Sequence, residues 1–447
     1  MPISPARLAR PRARFAGAGA VLLCLAVATA GSGEAPRDTA ACPDRWVVTA
    51  FGAVGDGQAD DTAAIQRALD AARAGGGGQV YLPAGNYRVS GSLRVPGGTV
   101  LQGIWQAPHH SDQTLGSALW VVGGRGEEAG EAAVHLEPSA AIRGVTFYYP
   151  DQSPEAIVAY PYAIRGHGMN GTAENVTLIN AYQGIDFGRD ANELHTIRFV
   201  YGCVLRRGVY ISRCTDIGRI ENVHFNPHFW ARAKIPGASS FRWQALVDYL
   251  NANLEAFIFG RTDWEYVFNT FAWGFNVCYR FIGTEHGAAN GNFLGCGADG
   301  GQTCVLIEET QAPGLLFTNG EFVAMVGDDP TMIRTGPGFR GVAQFTNCSF
   351  WGPCAENVEL RGDGEVSLVQ CNFVHWSRSG ESERYAVRQE GGVLMMSACN
   401  FREAKPHIYL GPGIRGASIV GNRFAGGPRI LNEAPPGAAE IGLNLGR

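Results

Sequence analysis

The chain has 447 residues, of which 45% are hydrophobic and 17% are charged. It can therefore bury a large core, and it has neither the composition of a disordered chain nor that of a membrane-spanning one. Its formal net charge of −5 argues against nucleic-acid binding, which needs an excess of basic residues. A carbohydrate or another small polar substrate is compatible with this composition.

The first thirty residues have the order of a secretory signal peptide. Four arginines precede an apolar run that ends at Val27, and the small residues Ala28-Thr29-Ala30 follow. Because the apolar run is short for a membrane span, we expect cleavage near Ala30 and a secreted or periplasmic protein that does not associate with the membrane. A retained signal anchor is the alternative. Residues 31–46 are interpreted as an N-terminal linker.

Three aspartates, Asp56, Asp60 and Asp61, stand directly before a predicted helix that begins at about Thr62. Asp60 or Asp61 is expected to cap this helix. A calcium loop counted from Asp56 has Arg67 at its twelfth position, where a glutamate is needed, so the aspartates do not match that motif. The helix has an apolar face with helical spacing that would cover the first coil of the fold: Ile65, Ala68, Leu69 and Ala72.

A repeat runs from about residue 140 to the end of the chain. Short β-prone segments end in a small-polar-aromatic signature, and their last residues are separated by 21 to 31 positions, apart from one interval of 46. Repeats of this length with many glycines and no long helix predict a parallel β-solenoid whose coils bury their side chains by stacking. The signatures are GVTF, NVTL, TIRF, NVHF, FNTF, NGNF, NGEF, NCSF, QCNF, ACNF and GNRF.

The alternation of side chains within the signature predicts which of them face the interior. The terminal phenylalanines should form an internal stack, and Cys348, Cys371 and Cys399, two positions earlier, should form a column of buried free thiols rather than disulfides. The position between them is polar and should face outward. Amides at the first position of six signatures suggest a ladder: Asn175, Asn222, Asn290, Asn319, Asn347 and Gln370.

The 46-residue interval contains a helical insertion near residues 239–257, with Ser240 as its N-cap and apolar residues at helical spacing. Such an insertion commonly borders a groove or lies between subunits. We therefore expect a single β-helix domain over residues 47–432, followed by a C-terminal tail at 433–447.

Residues 47–104 contain the most specific signal in the chain. The stretch FGAVGDGQADDTAAIQRALDAA and the following GGGQVYLPAGNYRVSGSLRVPGGTVLQG closely resemble the start of the pectate-lyase-like superfamily. That superfamily includes relatives of polygalacturonases and rhamnogalacturonases, some β-1,3-glucanases and phage tailspike depolymerases. The resemblance implies an all-β, right-handed parallel β-helix with an N-terminal capping helix.

The chain departs from the polygalacturonase motif pattern that this resemblance implies. RGHGMN at residues 165–170 resembles the Gly-His-Gly motif, but neither an Asn-Thr-Asp motif before it nor an Arg-Ile-Lys motif after it is present. We therefore interpret His167 as a turn residue.

Hydrolysis of a glycosidic bond needs two carboxylates, so acids on the outward column or in the adjoining turns of the middle coils are the candidates. Glu321 is the acid in that column, Asp299 follows the preceding strand, and Asp263 and Glu265 flank Trp264 one coil earlier. The structural alternatives are that Asp299 holds its glycine-rich turn and that Asp263 or Glu265 pairs with a nearby arginine. Predicted substrate-binding residues are His224, Arg198, Asn292, Trp230, Trp264 and Trp273.

These residues favour a secreted glycoside hydrolase acting on a polysaccharide or oligosaccharide, with no cofactor and no metal. A polysaccharide lyase or epimerase acting on a uronate-containing glycan is the first alternative, and a non-catalytic glycan-binding solenoid is the second. A homo-oligomer, such as a trimer, is a further expectation of the fold.

Overall fold

The computed structural model describes residues 44–105, 116–234, 241–378 and 384–446. The predicted signal peptide at 1–30 and the linker up to residue 43 lie outside the described residues, as does the predicted N-cap Ser240. Within the described ranges, no helix is both long and apolar enough to cross a membrane.

The described chain is an all-β parallel solenoid, which confirms the predicted parallel β-helix. Each coil contributes strands to three faces, here called the first, second and third faces in the order in which the chain visits them. The first and second faces form one bent sheet of 27 described strands, and the third is a separate sheet of 13. Neighbouring coils pair in parallel, so equivalent residues of successive coils form columns about 4.8 Å apart.

The strands of the first face are Arg45–Val47, Gly78–Tyr81, Thr99–Gln102, Ala141–Arg143, Thr172–Leu178, Thr196–Gly202, Arg219–Phe225, Thr262–Phe268, Ala289–Leu294, Thr310–Thr318, Val342–Thr346, Glu365–Val369, Val393–Ser397, Gly416–Val420 and Ala439–Gly442. The three seven-residue strands that begin at Thr172, Thr196 and Arg219 continue onto the second face. The other strands of the second face are Asp56–Asp60, Gly85–Val89, Ser117–Val121, Thr146–Tyr148, Phe271–Trp273, Gly297–Gly301, Glu321–Ala324, Ser349–Phe350, Asn372–Phe373, Asn400–Phe401, Arg423–Phe424 and Leu445–Gly446.

The strands of the third face are Leu93–Val95, Val134–Leu136, Tyr162–Gly166, Gln183–Phe187, Arg207–Ile211, Glu255–Phe259, Val277–Phe281, Thr303–Ile307, Thr331–Thr335, Glu356–Leu360, Val387–Gln389, Ile408–Leu410 and Ile430–Asn432. The core is the space enclosed by the three faces.

The predicted internal stacks are present in the later coils. Phe350, Phe373 and Phe401 are fully buried, with ring centroids 5.2 Å and 4.6 Å apart. All nine cysteines in the described ranges are buried and free, which agrees with the expected thiol column of Cys348, Cys371 and Cys399. Stacking between coils therefore provides the apolar burial on which this fold depends.

From Gly144 to Gly421, the chain bends from the first face to the second at one residue per coil, and this residue has a positive φ. Asparagine tolerates this left-handed conformation better than most residues, which explains five of the six residues of the predicted amide column. The sixth, Asn290, was placed wrongly, because it lies within a first-face strand before the bend at Gly295. Asn347 Nδ2 donates a hydrogen bond to Asn319 Oδ1 at 2.7 Å. The bend residues include Gly144, Asn175, Phe199, Asn222, Asn269, Gly295, Asn319, Asn347, Gln370, Ala398 and Gly421.

Three of the eleven repeat signatures were assigned the wrong register. In TIRF the bend is at Phe199, so the outward residue of this coil is Tyr201. In FNTF, Phe271 faces outward and Ala272 inward. NGNF lies entirely on the first face, because the bend of that coil is at Gly295. Pairing with the neighbouring coils, and not the local motif, decides where each bend falls.

The described part of the chain contains three helices beside the solenoid strands: α1 at Thr62–Ala74, α2 at His228–Ala231 and α3 at Trp243–Asn253, with a 3-10 turn at Val48–Phe51. Helix α3 confirms the predicted helical insertion. Helix α1 is the predicted capping helix, and its four predicted apolar residues are fully buried.

The three N-terminal aspartates organise the entry to α1. Asp61 accepts hydrogen bonds from the backbone N–H groups of Val54 and Gly55, and Asp60 accepts one from the Thr62 N–H at the start of the helix. Asp56 accepts two further backbone hydrogen bonds within its own loop. These carboxylates therefore stabilise the first coil.

The solenoid is longer at both ends than predicted. Arg45–Val47 already pairs with Gly78–Tyr81, and Ala439–Gly442 pairs with Gly416–Val420. Residues 433–446 therefore include strands of a last coil rather than forming a tail. Its exposed apolar residues, such as Leu443, hid this coil from a pattern based on buried side chains.

Candidate active site

Two columns of outward residues run along the second face of the middle coils. In the first column, His224, Phe271, Gly297 and Glu321 occupy equivalent positions of successive coils. The second column lies two residues further along each strand and includes Trp273 and Asp299, which are paired in register. The alternation of side chains in a strand places both columns on the outer surface.

A cavity of about 300 Å³ opens between these columns. Asp299 and Glu321 both line it, together with Phe271, Asn319 and Trp351. Gly297 lies in the first column between Phe271 and Glu321 and has no side chain to fill the gap. The structure thus brings together the two carboxylates that the sequence placed in adjacent coils.

The two carboxylates have different surroundings. Burial raises the pKa of Asp299 above its ordinary value, and a hydrogen bond from the Gly300 backbone opposes this only in part. Glu321 is exposed at the start of its strand. Among the described residues that line the cavity there is no arginine or lysine. The site therefore combines a carboxyl that retains its proton more readily with one in contact with water.

Aromatic rings flank the carboxylates. Trp351, one coil beyond Glu321, is 42% exposed. Trp273 packs against the backbone of Gly300, and Trp243 of helix α3 has its ring centroid 5.9 Å from that of Trp273. Such surfaces stack on the C–H faces of sugar rings.

His224 lies one coil from Phe271 in the first column, which is the outward position that the sequence predicted for it, but it does not line the cavity. Its ring makes edge contacts with Phe271 at 4.9 Å and with Phe229 of helix α2 at 5.5 Å. His224 thus lies between Phe229 of the insertion and Phe271 at the edge of the cavity, in contact with both rings.

Two of the four predicted catalytic acids lie elsewhere. Glu265 points into the solenoid interior, where it is fully buried, and its Oε1 lies 3.0 Å from Nε2 of His195. Asp263 lies on the first face and forms an ion pair with Arg261. The placement of Glu265 on the outer surface was wrong. Asp263 lines a first-face cavity with Trp264 and Asn292. Neither acid lines the second-face cavity, because both precede the bend of their coil.

Three predicted binding residues are also displaced from the cavity. Arg198 lies on the first face, where its guanidinium pairs with Glu174 at 2.6 Å. Asn292 and Trp264 line a separate first-face cavity of about 370 Å³, in which Trp264 is 60% exposed. These positions follow from the corrected register of their coils.

Trp230 is the last predicted binding residue that the structure removes from the surface. It is buried in helix α2 and packs edge-on against Phe241, at 5.4 Å between ring centroids. Its role is to attach the insertion to the solenoid wall.

Phe271 and Asn319 line the cavity but were not predicted as site residues. The pairing of Phe271 with His224 and Gly297 was hidden by the one-residue error in its signature. Asn319 was interpreted only as a member of the amide ladder. Aligning Asn269 with Asn319 as equivalent bends would have revealed Phe271.

His167, interpreted as a turn residue, joins a chain of polar groups on the third face. Its Nε2 lies 2.9 Å from Nδ1 of His135, and its Nδ1 lies 2.5 Å from the Asp190 carboxylate. The Glu131 carboxylate lies 3.1 Å from Nε2 of His135. This series of hydrogen-bonded side chains lies on a different face from the cavity and provides a separate pH-sensitive element.

The free energy of unfolding is expected to decrease as the pH is lowered from about 6.5 to about 4, because of His135. Burial, aided by the positive charges of Arg94, His167 and Arg165 and opposed by Glu131, lowers the pKa of His135 to about 4. The folded chain therefore binds fewer protons than the unfolded chain in this window. Urea unfolding of His135→Gln should show a smaller loss of stability between about pH 7 and about pH 5 than the native chain does. Equal losses would contradict this assignment.

A family model described as "Rhamnogalacturonase A/epimerase, pectate lyase-like" matches residues 46–122. Mannuronan C5-epimerase AlgE3 of Azotobacter vinelandii is 51% identical over 78 residues, which are 17% of this chain and 4% of that protein. Alginate lyase 7 of the same organism is 59% identical over 51 residues, or 11% of this chain and 6% of the relative. The chain thus spans a small part of these relatives, and the family match ends before the cavity begins.

Solved structures match over most of the solenoid. The A-module of Azotobacter vinelandii mannuronan C-5 epimerase AlgE4 aligns over 89% of this chain and 99% of its own, with 14% identity and a TM-score of 0.56. Gene product 12 of bacteriophage phi29 aligns over 90% of this chain and 56% of its own, with 12% identity and a TM-score of 0.53. At these identities the likeness concerns the fold alone.

Proposed function

We propose that this chain, which is a parallel β-helix protein of the pectate-lyase-like superfamily, is a glycoside hydrolase that cleaves a polysaccharide or oligosaccharide in the second-face cavity. One observation carries the proposal: Asp299 and Glu321 line the same cavity, but burial raises the pKa of Asp299 while Glu321 is exposed. Two carboxyl groups with different environments are what acid and base roles at one bond require.

In the proposed mechanism, protonated Asp299 donates its proton to the glycosidic oxygen as the bond to the anomeric carbon breaks. The exposed Glu321 side chain acts as the base and accepts a proton from the water that attacks this carbon. Glu321 pairs with Gly297, which is two residues before Asp299. One inter-strand spacing combined with two residues along the strand puts the α-carbons of Asp299 and Glu321 about 8 Å apart. That spacing lets both carboxyl groups reach a single glycosidic bond.

Trp351 is proposed to stack on a sugar ring at the edge of the cavity. Trp351→Ala should therefore raise KM about 5- to 10-fold with a smaller effect on kcat, which corresponds to the loss of one aromatic contact. Steady-state kinetics on a cleaved substrate measure this. Trp264→Ala, which removes an exposed tryptophan from the first face, is the matched control and should leave KM unchanged. An equal rise in KM for both variants would argue against the second-face site.

A lyase or C5-epimerase activity on a uronate polymer is the second candidate. It is favoured by the similarity of the first coils to mannuronan C5-epimerases and an alginate lyase. Either reaction begins with removal of the proton next to a uronate carboxylate. The lining of the described cavity has two carboxylates and no arginine or lysine, so it would repel a polyanion, and this favours a neutral sugar.

A panel of neutral and uronate polysaccharides distinguishes these activities. The proposal predicts new reducing ends without ultraviolet absorbance from an unsaturated product. Unsaturated products would indicate a lyase, and a changed ratio of mannuronate to guluronate by NMR without cleavage would indicate an epimerase. Either of these outcomes, or binding without any reaction, would overturn the hydrolase proposal.

A further inference from the structure

A group of polar side chains lies inside the solenoid, away from the second-face cavity. His195, Cys214 and Glu265 are each fully buried. One nitrogen, one sulfur and one carboxylate oxygen from these residues all lie within 4.8 Å of one another. Side chains of this kind are buried only at a cost unless they are paired or bind a cation.

The register of the first face brings these residues together. His195, Gly218 and Glu265 occupy equivalent inward positions of three successive coils. Because Gly218 has no side chain, His195 and Glu265 meet across the middle coil; a Cβ atom at Gly218 would lie 2.1 Å from the imidazole and 2.5 Å from Oε1 of Glu265. Cys214 lies in the adjacent turn, where its backbone forms isolated parallel β-bridges with Asn192 and Thr262.

The hydrogen bonds of Asn192 fix the orientation of His195. The Asn192 amide nitrogen is within donating distance of the carbonyl oxygens of Phe187, Asp190 and Ser212, so its Oδ1 must face His195. His195 Nδ1 then donates to this oxygen at 2.9 Å. In the neutral ring, Nε2 therefore presents a lone pair to Glu265 and Cys214.

Glu265 has an unsatisfied atom in the same place. Its Oε1 faces Nε2 of His195 at 3.0 Å, while its buried Oε2 has no hydrogen-bond partner in the described part of the chain. A buried carboxylate oxygen without a partner is destabilising. The Cys214 thiol is within hydrogen-bonding distance of the Asp216 carbonyl oxygen, at 3.6 Å. A lone pair, a sulfur atom and a carboxylate thus converge where one cation can bind all three.

We propose that His195 Nε2, Cys214 Sγ and the Glu265 carboxylate bind a divalent metal ion of the zinc type. Nitrogen, sulfur and carboxylate ligands suit Zn²⁺, and a hydrogen bond to the second ring nitrogen is usual for a metal-binding histidine. Binding releases the Cys214 proton to solvent, and the 2+ charge is balanced by one thiolate and one carboxylate. Because the site is closed to solvent, its role is structural: it ties successive coils together.

This site differs from the sequence-based expectation of no metal. In a solenoid, ligands are brought together by coil length rather than by short sequence spacing. The inference is independent of the proposed hydrolase activity, since none of the three residues lines the second-face cavity.

Metal content and cobalt spectroscopy test the proposal. The full chain, produced in zinc-supplemented medium, should contain one zinc ion per chain by elemental analysis. Chain refolded with Co²⁺ should show a thiolate-to-cobalt charge-transfer band. Cys214→Ser should lose both signals, whereas Cys203→Ser, which alters a buried thiol outside the cluster, should retain both.

The proposal is overturned if the native chain binds neither metal, or if Cys214→Ser retains the zinc and the cobalt band. If Cys214→Ser does not fold, Glu265→Gln provides the second variant, and it should lower metal affinity at least tenfold without changing the far-ultraviolet circular dichroism. Unchanged affinity would overturn the proposal. Asp299→Asn should keep its zinc whether or not it is active, which separates this test from that of the hydrolase.

Discussion

Asp299→Asn and Glu321→Gln are each expected to lower kcat by about 10²–10⁴-fold, the contribution typical of general acid–base catalysis. Both substitutions keep the size of the side chain while removing its ability to exchange a proton. Neither carboxylate is part of the solenoid core, so the unfolding transition should stay near that of the native chain. Steady-state kinetics and circular dichroism measure these two properties.

Asp263→Asn is the matched control, because Asp263 is an acid from the neighbouring coil that lies on the first face. Its kcat should equal that of the native chain. Full activity of both Asp299→Asn and Glu321→Gln would show that the second-face cavity is not the catalytic site. Loss of activity in all three variants together with loss of folding would point to a structural effect.

The pH dependence of kcat provides a related check. Burial raises the pKa of Asp299, so the acid keeps its proton to a higher pH than an ordinary aspartate does. Activity should therefore fall on the alkaline side as Asp299 ionises, and this limb should be absent from the residual activity of Asp299→Asn.

Phe373→Ala is expected to lower the free energy of unfolding by about 3–5 kcal/mol, as for other large-to-small core substitutions. Phe373 is fully buried between Phe350 and Phe401, and its removal leaves a cavity in a stack that joins three coils. In a solenoid each coil is stabilised mainly by its neighbours, so the loss is not redistributed across a larger core.

Urea unfolding followed by tryptophan fluorescence measures this change. Met395→Ala is the control, since Met395 is 50% exposed on the first face and its truncation should change stability by about 0.5 kcal/mol or less. A loss below about 1 kcal/mol for Phe373→Ala would contradict the importance of the stack.

The parallel β-helix could be predicted from sequence because its coils repeat the same physical requirements. The apolar residues of α1 recur at helical spacing, and the inward phenylalanines of the later coils recur at the last position of the repeat signature. The structure confirms that both sets are buried. Around Asn319 and Asn347 the bend residue coincides with the signature, so Glu321 was correctly placed on the outer surface.

The position of the bend in the middle coils could not be predicted from the local signature. FNTF and NGNF look alike locally, yet one contains a bend at Asn269 and the other precedes a bend at Gly295. The difference lies in hydrogen bonding to the neighbouring coils. Glu265 was misplaced for a similar reason: its partner His195 is 70 residues earlier in the chain, and only the empty position at Gly218 lets them meet.

The most direct test of the central claim, that the second-face cavity is the active site, is a crystal structure of the Glu321→Gln chain with an oligosaccharide that the native chain cleaves. We expect the sugar rings to lie across the second face against Trp351, with the glycosidic oxygen beside the Asp299 carboxyl. An oligosaccharide bound instead in the first-face cavity against Trp264 would contradict the claim.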